Sequence, residues 1–385
     1  LKETFTGIDS FPLMAVPFFI LAAELMSGGS LTEVLLKFAG QFVGHKRGGL
    51  GYTNVVSLTF FSGISGSALA DAAGPGSMLI RMMDKAGYDR AYAAALTAST
   101  AIVGPIIPPS IIMIIYALAD DNVSVGALFV AGLIPGLLIA AAMCVVNWYI
   151  SKERNYKGDG QMPTGPEIVR TTWKALPAIL LPVLILGGMR AGWFTPTEAA
   201  VVAVFYGLFV GMVIYRTIQV RDLFVILRES GELSAVILLV VSLAGIFAYS
   251  LSTLGVIDPI TQAIVNSGLG EYGVLALLIL MLITVGMFLD GVSIFLIFVP
   301  LLWPIVQFYK WDPVWFGVIL TLKVALGQFT PPLAVNLMVS CRIAGVRMEE
   351  TVRWVGWMLF SMFLVMLAVI AWPELALWLP RYLGY

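Results

Sequence analysis

The sequence predicts an all-α polytopic membrane protein built from two inverted structural repeats. Three observations predict it: a composition too apolar for a soluble domain, recurring apolar segments of membrane-spanning length, and a glycine–proline motif that returns at a fixed offset. Of 385 residues, 59% are hydrophobic and 12% charged, and the mean hydropathy is +0.95, whereas soluble domains carry roughly 25% charged residues. Apolar runs at 11–26, 127–150, 176–189, 196–215, 233–251 and 354–372 suit a ~30 Å hydrocarbon core. Backbone groups facing lipid must pair internally and no alternating strand pattern occurs, so the spans are helices. A formal net charge of −1 offers no nucleic-acid face. Cys144 and Cys341 each stand alone in apolar helices, where they pack rather than bridge.

Charge orients the elements. The longest polar stretch, 151–174, carries Lys152, Arg154, Lys157, Arg170 and Lys174, which places it in the cytoplasm. The next turn, RAGWFTP, holds only Arg190 and falls outside; 216–228, with Arg216, Arg221 and Arg228, falls inside again. At the start of the span between them Thr195 can cap, Pro196 suits the first helical position and Glu198 can return a capping-box bond. His45, beside Lys46 and Arg47, is a residue of the cytoplasmic interface. Trp303, Trp311, Trp315, Trp354, Trp357, Trp372 and Trp378 mostly mark membrane interfaces. Arg342 is placed where it could pair a substrate carboxylate, but followed by Arg347 and Arg353 it reads rather as an inside-facing charge, after which the last span crosses outward and leaves Tyr385 periplasmic.

The strings GPIIPPSI (104–111) and GQFTPPLA (327–334) share the spacing G-x-x-x-P-P, an offset of 223 from residue 104 to residue 327. The same offset carries Gly63 onto Gly286, Ser67 onto Asp290, and the apolar run 127–150 onto 350–373. A duplication of this kind is a common architecture for transporters. The span at 196–215 then lacks a counterpart in the first half, which implies a further helix before residue 1 or an asymmetric repeat. Arg81, Lys85 and Arg90 close the first polar segment, whereas the equivalent stretch 308–313 has only Lys310 beside Asp312. The two halves therefore read as inverted, with two re-entrant hairpins meeting at the midplane, each beside a broken helix.

The hairpin tips carry the chemistry. SGSALADAAGPG (65–76) sets hydroxyls, a carboxylate and glycines among membrane residues. Gly and Pro free backbone carbonyls and amides from the helical ladder, and at membrane depth such groups must line a cavity or hold an ion. Carbonyl oxygens with those of Ser65, Ser67, Asp71 and Asp290 suit a hard monovalent cation such as sodium, while half-helix N-termini favour an anionic substrate group. Packing by small residues is the competing role of such a segment, but intramembrane carboxylates default to function. An organic anion would then meet Ser67, Asp71 and the break residues Pro108 and Pro331; Asn336 either caps a helix or reaches the cavity. A serine enzyme would need a base beside Ser65 or Ser67, yet the only histidine is His45, and Lys323 is the one lysine within an apolar span. A channel is not excluded by broken helices alone. No G-x-x-x-x-G-K-[ST] motif is present, so ATP-driven transport would need a partner.

The strings DSFPLMAVPFFILAAELM, VGHKRGGLGY, GISGSALADAAGPGSML, GPIIPPSI, FTPTEAAVVA, GMFLDGVSIFLIFVPLL and GQFTPPLAVNLMV, in this order, resemble the large membrane subunit of tripartite ATP-independent periplasmic (TRAP) transporters. The resemblance runs from about Ile8 to the last helix and implies an elevator-type secondary transporter of the bacterial inner membrane, driven by a sodium gradient. It implies a small four-helix membrane subunit, and a soluble periplasmic binding protein that delivers a carboxylate such as a C4-dicarboxylate, keto acid or sugar acid. A stand-alone sodium/carboxylate symporter is the alternative. Carried over by residue, one sodium site would use Ser65 and Ser67 with Gly104, Ile107 and Pro109 of the first break. The other would use Gly286 and Asp290 with Gly327, Thr330 and Pro332 of the second. Pro75 in AAGPGS departs from the family pattern and leaves the local hairpin backbone open. The implied organisation is scaffold helices at 1–50, transport-domain parts at 51–120 and 274–343, scaffold and linking helices at 121–273 and a C-terminal scaffold helix at 344–385.

Overall fold

The computed structural model describes residues 12–26, 29–118, 123–158 and 162–385, and no strand occurs among them. Phe11, where the first expected span starts, and the expected boundary at 120/121 lie outside the described residues. A short turn, Pro12–Met14, leads into α1 (Ala15–Met26) and α2 (Gly29–Val43). The first half continues with α3 (Gly49–Ser65), α4 (Ala68–Ala73), α5 (Pro75–Lys85), α6 (Arg90–Ala101) and α7 (Ile111–Ala117). Next come the long α8 (Val125–Arg154), α9 (Gly165–Arg190), α10 (Pro196–Phe209) and α11 (Val220–Thr253). The second half follows as α12 (Ile257–Val265), α13 (Gly270–Gly286), α14 (Gly291–Tyr309), α15 (Pro313–Phe329) and α16 (Val335–Ala344), closed by α17 (Met348–Ala371) and α18 (Glu374–Leu383). Among the described residues, six helices are long and apolar enough to cross a membrane, or seven if α1 and α2, bent by 74°, count as one span. The chain is an all-helical, multi-pass membrane protein.

Local sequence sets the helix ends. Ser67 caps α4 by accepting from the Ala70 amide, and Asp290 caps α14 by accepting from Val292 and Ser293. Asp89 caps α6 through the amides of Ala91 and Tyr92, and Asp312 caps α15 through Val314 and Trp315. Each accepted bond satisfies amides that a helix start leaves unpaired. Residues 67 and 290, and again 89 and 312, stand at the offset of 223 that the G-x-x-x-P-P motifs define. The Thr195–Glu198 capping box forms at the head of α10. Pro75 sits in the first turn of α5, where its missing N–H costs nothing.

The halves pack crosswise: α16 lies on α4, α5 and α6, and α7 lies on α14 and α15. Contacts gather at two ends of the bundle. At one, the Tyr156 hydroxyl accepts from the Asp89 amide, Arg353 pairs with Glu153, and Arg154 and Arg353 both lie over the Trp354 ring. At the other, Trp311 donates to Glu271, the Tyr116 hydroxyl donates to the Pro313 carbonyl and Arg190 donates to the Leu383 carbonyl.

Several elements depart from the sequence reading. Trp311, Trp315 and Trp354 are only 7%, 7% and 4% exposed; they pack inside the bundle, and Trp315 donates to the Val369 carbonyl. The C-terminal segment is two helices, because Pro373 follows the end of α17 at Ala371 and the chain restarts as α18, which packs on α8. The packing of α8, which the sequence did not indicate, interlocks it with the first half. The Asn147 side chain occupies the space a side chain at Gly51 would need, Ser151 that at Gly48, and the Ile106 carbonyl that at Gly132. The Tyr92 hydroxyl donates to Asn147 Oδ1, and Asn147 donates to the Gly48 carbonyl. Small residues at these positions are what permit such close approach.

Candidate functional site

A cavity of about 350 Å³ lies between the two helix breaks and the inner faces of α1 and α11. One wall carries Ser65, Gly66 and Ser67 from the break between α3 and α4, and Asp290 and Gly291 from the break between α13 and α14. Pro105, Gln328 and Asn336 come from the broken segments on either side. The facing wall is Ile20, Ala23 and Glu24 of α1 with Leu233, Val236, Ile237 and Val240 of α11. Residues more than 220 apart in the chain thus share one small space.

Gly66 makes the first tip possible. Its φ is +61°, a conformation that favours glycine, and an added Cβ would stand 2.2 Å from the Pro109 carbonyl oxygen. The tip therefore sits directly on the first break. Asp71, expected on the cavity wall, lies behind the tip instead: one helical turn after Ser67, its carboxylate points at the break. It is 1% exposed and accepts from Ser65 Oγ at 2.6 Å and Ser62 Oγ at 3.4 Å. The position of a Gly104 Cβ would be 3.0 Å from Asp71 Oδ2. No ion pair to Asp71 occurs among the described residues, so a buried carboxylate here is held by hydroxyls alone.

The second site is built differently. Asp290 is exposed at the cavity; Oδ2 accepts from the amides of Val292 at 3.0 Å and Ser293 at 3.2 Å, and Oδ1 accepts from the Ser293 hydroxyl. Its oxygens thus already serve the α14 N-terminus. Gly286 and Gly327 meet backbone to backbone, an added Cβ at Gly327 falling 2.7 Å from Gly286 Cα. Thr330 Oγ1 donates to the Leu326 carbonyl at 2.6 Å and keeps its lone pairs for another partner. Gly104, Ile107, Pro108 and Pro109 are all buried, whereas Pro331 is half-buried and Pro332 exposed. None of these six residues reaches the cavity wall. The Pro108–Pro109 and Pro331–Pro332 peptide bonds are both cis.

Asn336 reaches the cavity: it is 2% exposed, lines the space, and its Nδ2 has no hydrogen-bond partner. It stands in the first turn of α16, a helix without a side-chain cap. Arg342, at the other end of α16, does not line the cavity. Sequence reasoning passed over Ser62, Gln328 and Glu24. Glu24 had a signal, since it is a carboxylate within an apolar span; Ser62 and Gln328 had none beyond their place beside a break.

The donors suit a hard monovalent cation. Hydroxyls, carbonyls and single carboxylates surround the tips, and no group of three or more His, Cys, Asp or Glu side chains placed to hold a metal occurs among the described residues. Among the described residues, the cavity is lined by two charged groups, Glu24 and Asp290, and by no Lys, Arg or His.

Residues 2–375 match the family model of the DctM component of the tripartite ATP-independent periplasmic transporter. The chain is 37% identical over 387 residues to the sialic acid TRAP transporter large permease protein SiaM of Vibrio cholerae, covering 100% of this chain and 90% of the relative. It is 34% identical over 391 residues to the C4-dicarboxylate TRAP transporter large permease protein DctM of Pseudomonas aeruginosa, covering 99% and 89%. The sialic acid TRAP transporter permease protein SiaT of Haemophilus influenzae is longer; this chain is 35% identical to it and spans 61% of its length. A family match over nearly the whole chain, carried by relatives at this identity and coverage, makes this chain a member of the DctM family of tripartite ATP-independent periplasmic transporters, and so a transporter permease rather than an enzyme.

Proposed function

We propose that the chain moves a small organic anion together with sodium across the bacterial inner membrane, receiving the anion from a separate periplasmic binding protein and working beside a small membrane subunit. The observation that carries the sodium reading is electrostatic. Among the described residues the cavity offers an anion two carboxylates, Glu24 and Asp290, and no cationic side chain, while a third carboxylate, Asp71, is buried behind the tip. An anion entering such a space needs cations that arrive with it. The first break supplies a place for one: the Asp71 carboxylate with Ser62, Ser65, Ser67 and the backbone at Gly104 and Pro109. The second break supplies the other, from Gly286, Gly327, Thr330 and the region of Asp290.

Relatives named for sialic acid, C4-dicarboxylates and 2,3-diketo-L-gulonate support an organic anion as cargo. The anionic group rests on the uncapped N-terminus of α16 and on Asn336 Nδ2, since helix N-termini and unpaired amides attract negative charge. Each such contact stabilises by only ~0.3–1 kcal/mol, up to about 2 when partly buried, so capture at micromolar solute falls to the binding protein. The core of the moving body is 51–120 and 274–343, which carry both tips and breaks; α1 and α11 are the fixed wall. An elevator movement of that body, between inverted halves whose tips enter from opposite faces, exposes the cavity to each side in turn. The richer set of basic groups, at Lys46, Arg47, Arg90, Lys152, Arg154, Arg347 and Arg353, marks the cytoplasmic end.

The test is uptake into proteoliposomes holding both membrane subunits, with the binding protein added outside. Uptake should require an inward sodium gradient and should be negligible at micromolar solute without the binding protein. Equal uptake with potassium in place of sodium refutes the coupling, and tight saturable uptake by the membrane subunits alone refutes the dependence on delivery.

A further inference from the structure

Polar side chains recur along α3 from the basic end of the bundle to the first tip. At the tip, Ser62 and Ser65 hold Asp71. At the basic end, Thr53 lines a second cavity, of about 580 Å³, lined also by Glu33, Lys37, Gln41, His45 and Glu167. Between these ends lie Asn54 and Ser57, both fully buried, and each has an oxygen with no hydrogen-bond partner among the described residues: Asn54 Oδ1 and Ser57 Oγ. The neighbours of the Asn54 amide fix its orientation. Nδ2 donates to Thr97 Oγ1 at 2.7 Å and to Met83 Sδ at 3.6 Å, and a thioether sulfur can only accept. Ser57 differs from the hydroxyls around it, which turn back onto their own helix: Thr53 donates to the Gly49 carbonyl, Thr59 to Val55 and Ser62 to Leu58. Buried acceptors are costly unless something donates to them or coordinates them.

We propose that Asn54, Ser57 and Thr97 form a further site for a hard monovalent cation, the step through which sodium passes between Asp71 and the cavity at the cytoplasmic end. This rests on Asp71 being a cation place. Residues 54 and 57 are three apart on one helix, so their side chains are neighbours, and Thr97 on α6 adds an oxygen that keeps a second lone pair. An amide oxygen and two hydroxyls are hard, neutral donors. They hold an ion weakly enough to let it leave, which passage from site to site requires. The set also adjoins Asp71. An added Cβ at Gly76 would stand 2.6 Å from Thr97 Cγ2 and 2.8 Å from the Asp71 carbonyl oxygen, so Thr97 and the Asp71 backbone press on the same glycine. Along the axis of α3, Ser57 lies roughly 6 Å from Thr53 and roughly 7.5 Å from Ser62, short steps for a small ion. A water molecule would satisfy the same oxygens, but it would give Ser57 no part in transport.

The experiment replaces Ser57 by Ala in the complex of large and small membrane subunits. The hydroxyl removed is buried and has no partner, so the melting temperature in choline should stay level. Sodium should still stabilise the complex at the same concentration, within about twofold, because Asp71 is untouched. Sodium-driven uptake into proteoliposomes, with the binding protein outside, should nevertheless fall at least about fivefold. Sodium placed inside the liposomes should inhibit only at a concentration about threefold higher, since it re-enters by the slowed route, while the requirement for outside sodium does not rise. Unchanged uptake overturns this proposal, marks the oxygens as served by water only, and leaves the place at Asp71 standing. Slower uptake with a lower melting temperature in choline, or with unaltered inhibition from inside, overturns it too, since Ser57 then serves packing. An unaltered complex that sodium does not stabilise refutes the cation place at Asp71, and this proposal with it.

Discussion

Replacing Asp71 by Asn separates a cation ligand from a structural carboxylate, because the two roles give effects of opposite sign. Asp71 is 1% exposed and is held by the Ser65 and Ser62 hydroxyls, with no ion pair among the described residues. Asn keeps the shape and one acceptor for Ser65 while removing the charge. In sodium-free medium the change relieves a buried, unpaired charge, so the melting temperature should stay level or rise. With sodium the balance reverses. A unit charge ~4 Å from a cation at an effective dielectric of ~20 contributes ~4 kcal/mol, and half of that lost weakens the cation about thirtyfold. Thermal unfolding of the purified complex in choline and in graded sodium reads both effects, and sodium-driven uptake reads the consequence. A variant that melts several degrees lower in choline yet keeps the full sodium-induced rise would show that Asp71 only braces the tip, and would refute the reasoning.

Gly66→Ala places a Cβ against the Pro109 carbonyl in a left-handed backbone, a conformation that costs roughly 1–2 kcal/mol before the clash is counted; sodium-driven uptake should fall at least tenfold with the complex still assembled, and normal uptake would deny the tip-to-break contact its importance. Asp290→Asn and Thr330→Ala should each raise the sodium concentration for half-maximal uptake, and unchanged dependence in both reduces them to helix capping and packing. Asn336→Leu removes the unpaired donor at the cavity and should weaken anion binding by about tenfold without altering the sodium response; an unaltered anion affinity removes it from the site. A cysteine replacing Tyr382, which is 73% exposed on α18, should react with an impermeant reagent from the periplasmic side, and reaction only after permeabilisation would reverse the assigned orientation.

What the sequence discloses depends on whether a feature is local. The breaks at Gly104 and Gly327 and the tips at Ser67 and Asp290 are legible because Gly, Pro and capping residues act within a turn or two of themselves. The matching caps at Asp89 and Asp312 were equally legible by the same offset, although they lie in stretches that draw attention as charge. The packing of α8 was not: its apolar residues run around the whole helix, so no face announces its neighbour, and only the glycines at 132 and 136 mark the side that meets the first break. The direction of Asp71 was hidden for a related reason. A residue one turn beyond a tip can face the cavity or the break, and the choice is made by how α4 docks on α6 and α16. The aromatic side chains of Trp311, Trp315 and Trp354 mislead because an amphipathic ring serves an interface or a core with equal ease once its N–H finds a partner.

The glycine interlock of α8 divides the molecule into faces that grip and faces that slip. At Gly48, Gly51 and Gly132 the partner's atoms stand where a side chain would be, so a displacement of even one helical turn, ~5.4 Å, cannot occur there without prising backbones apart. Along α1 and α11 the cavity wall is Ile20, Ala23, Leu233, Val236, Ile237 and Val240 with the one carboxylate Glu24 among them, and the aliphatic contacts have no direction and re-form at any register. The elevator movement proposed above would carry α8 along with the tips as ballast and would meet its friction on the largely aliphatic surface of α1 and α11.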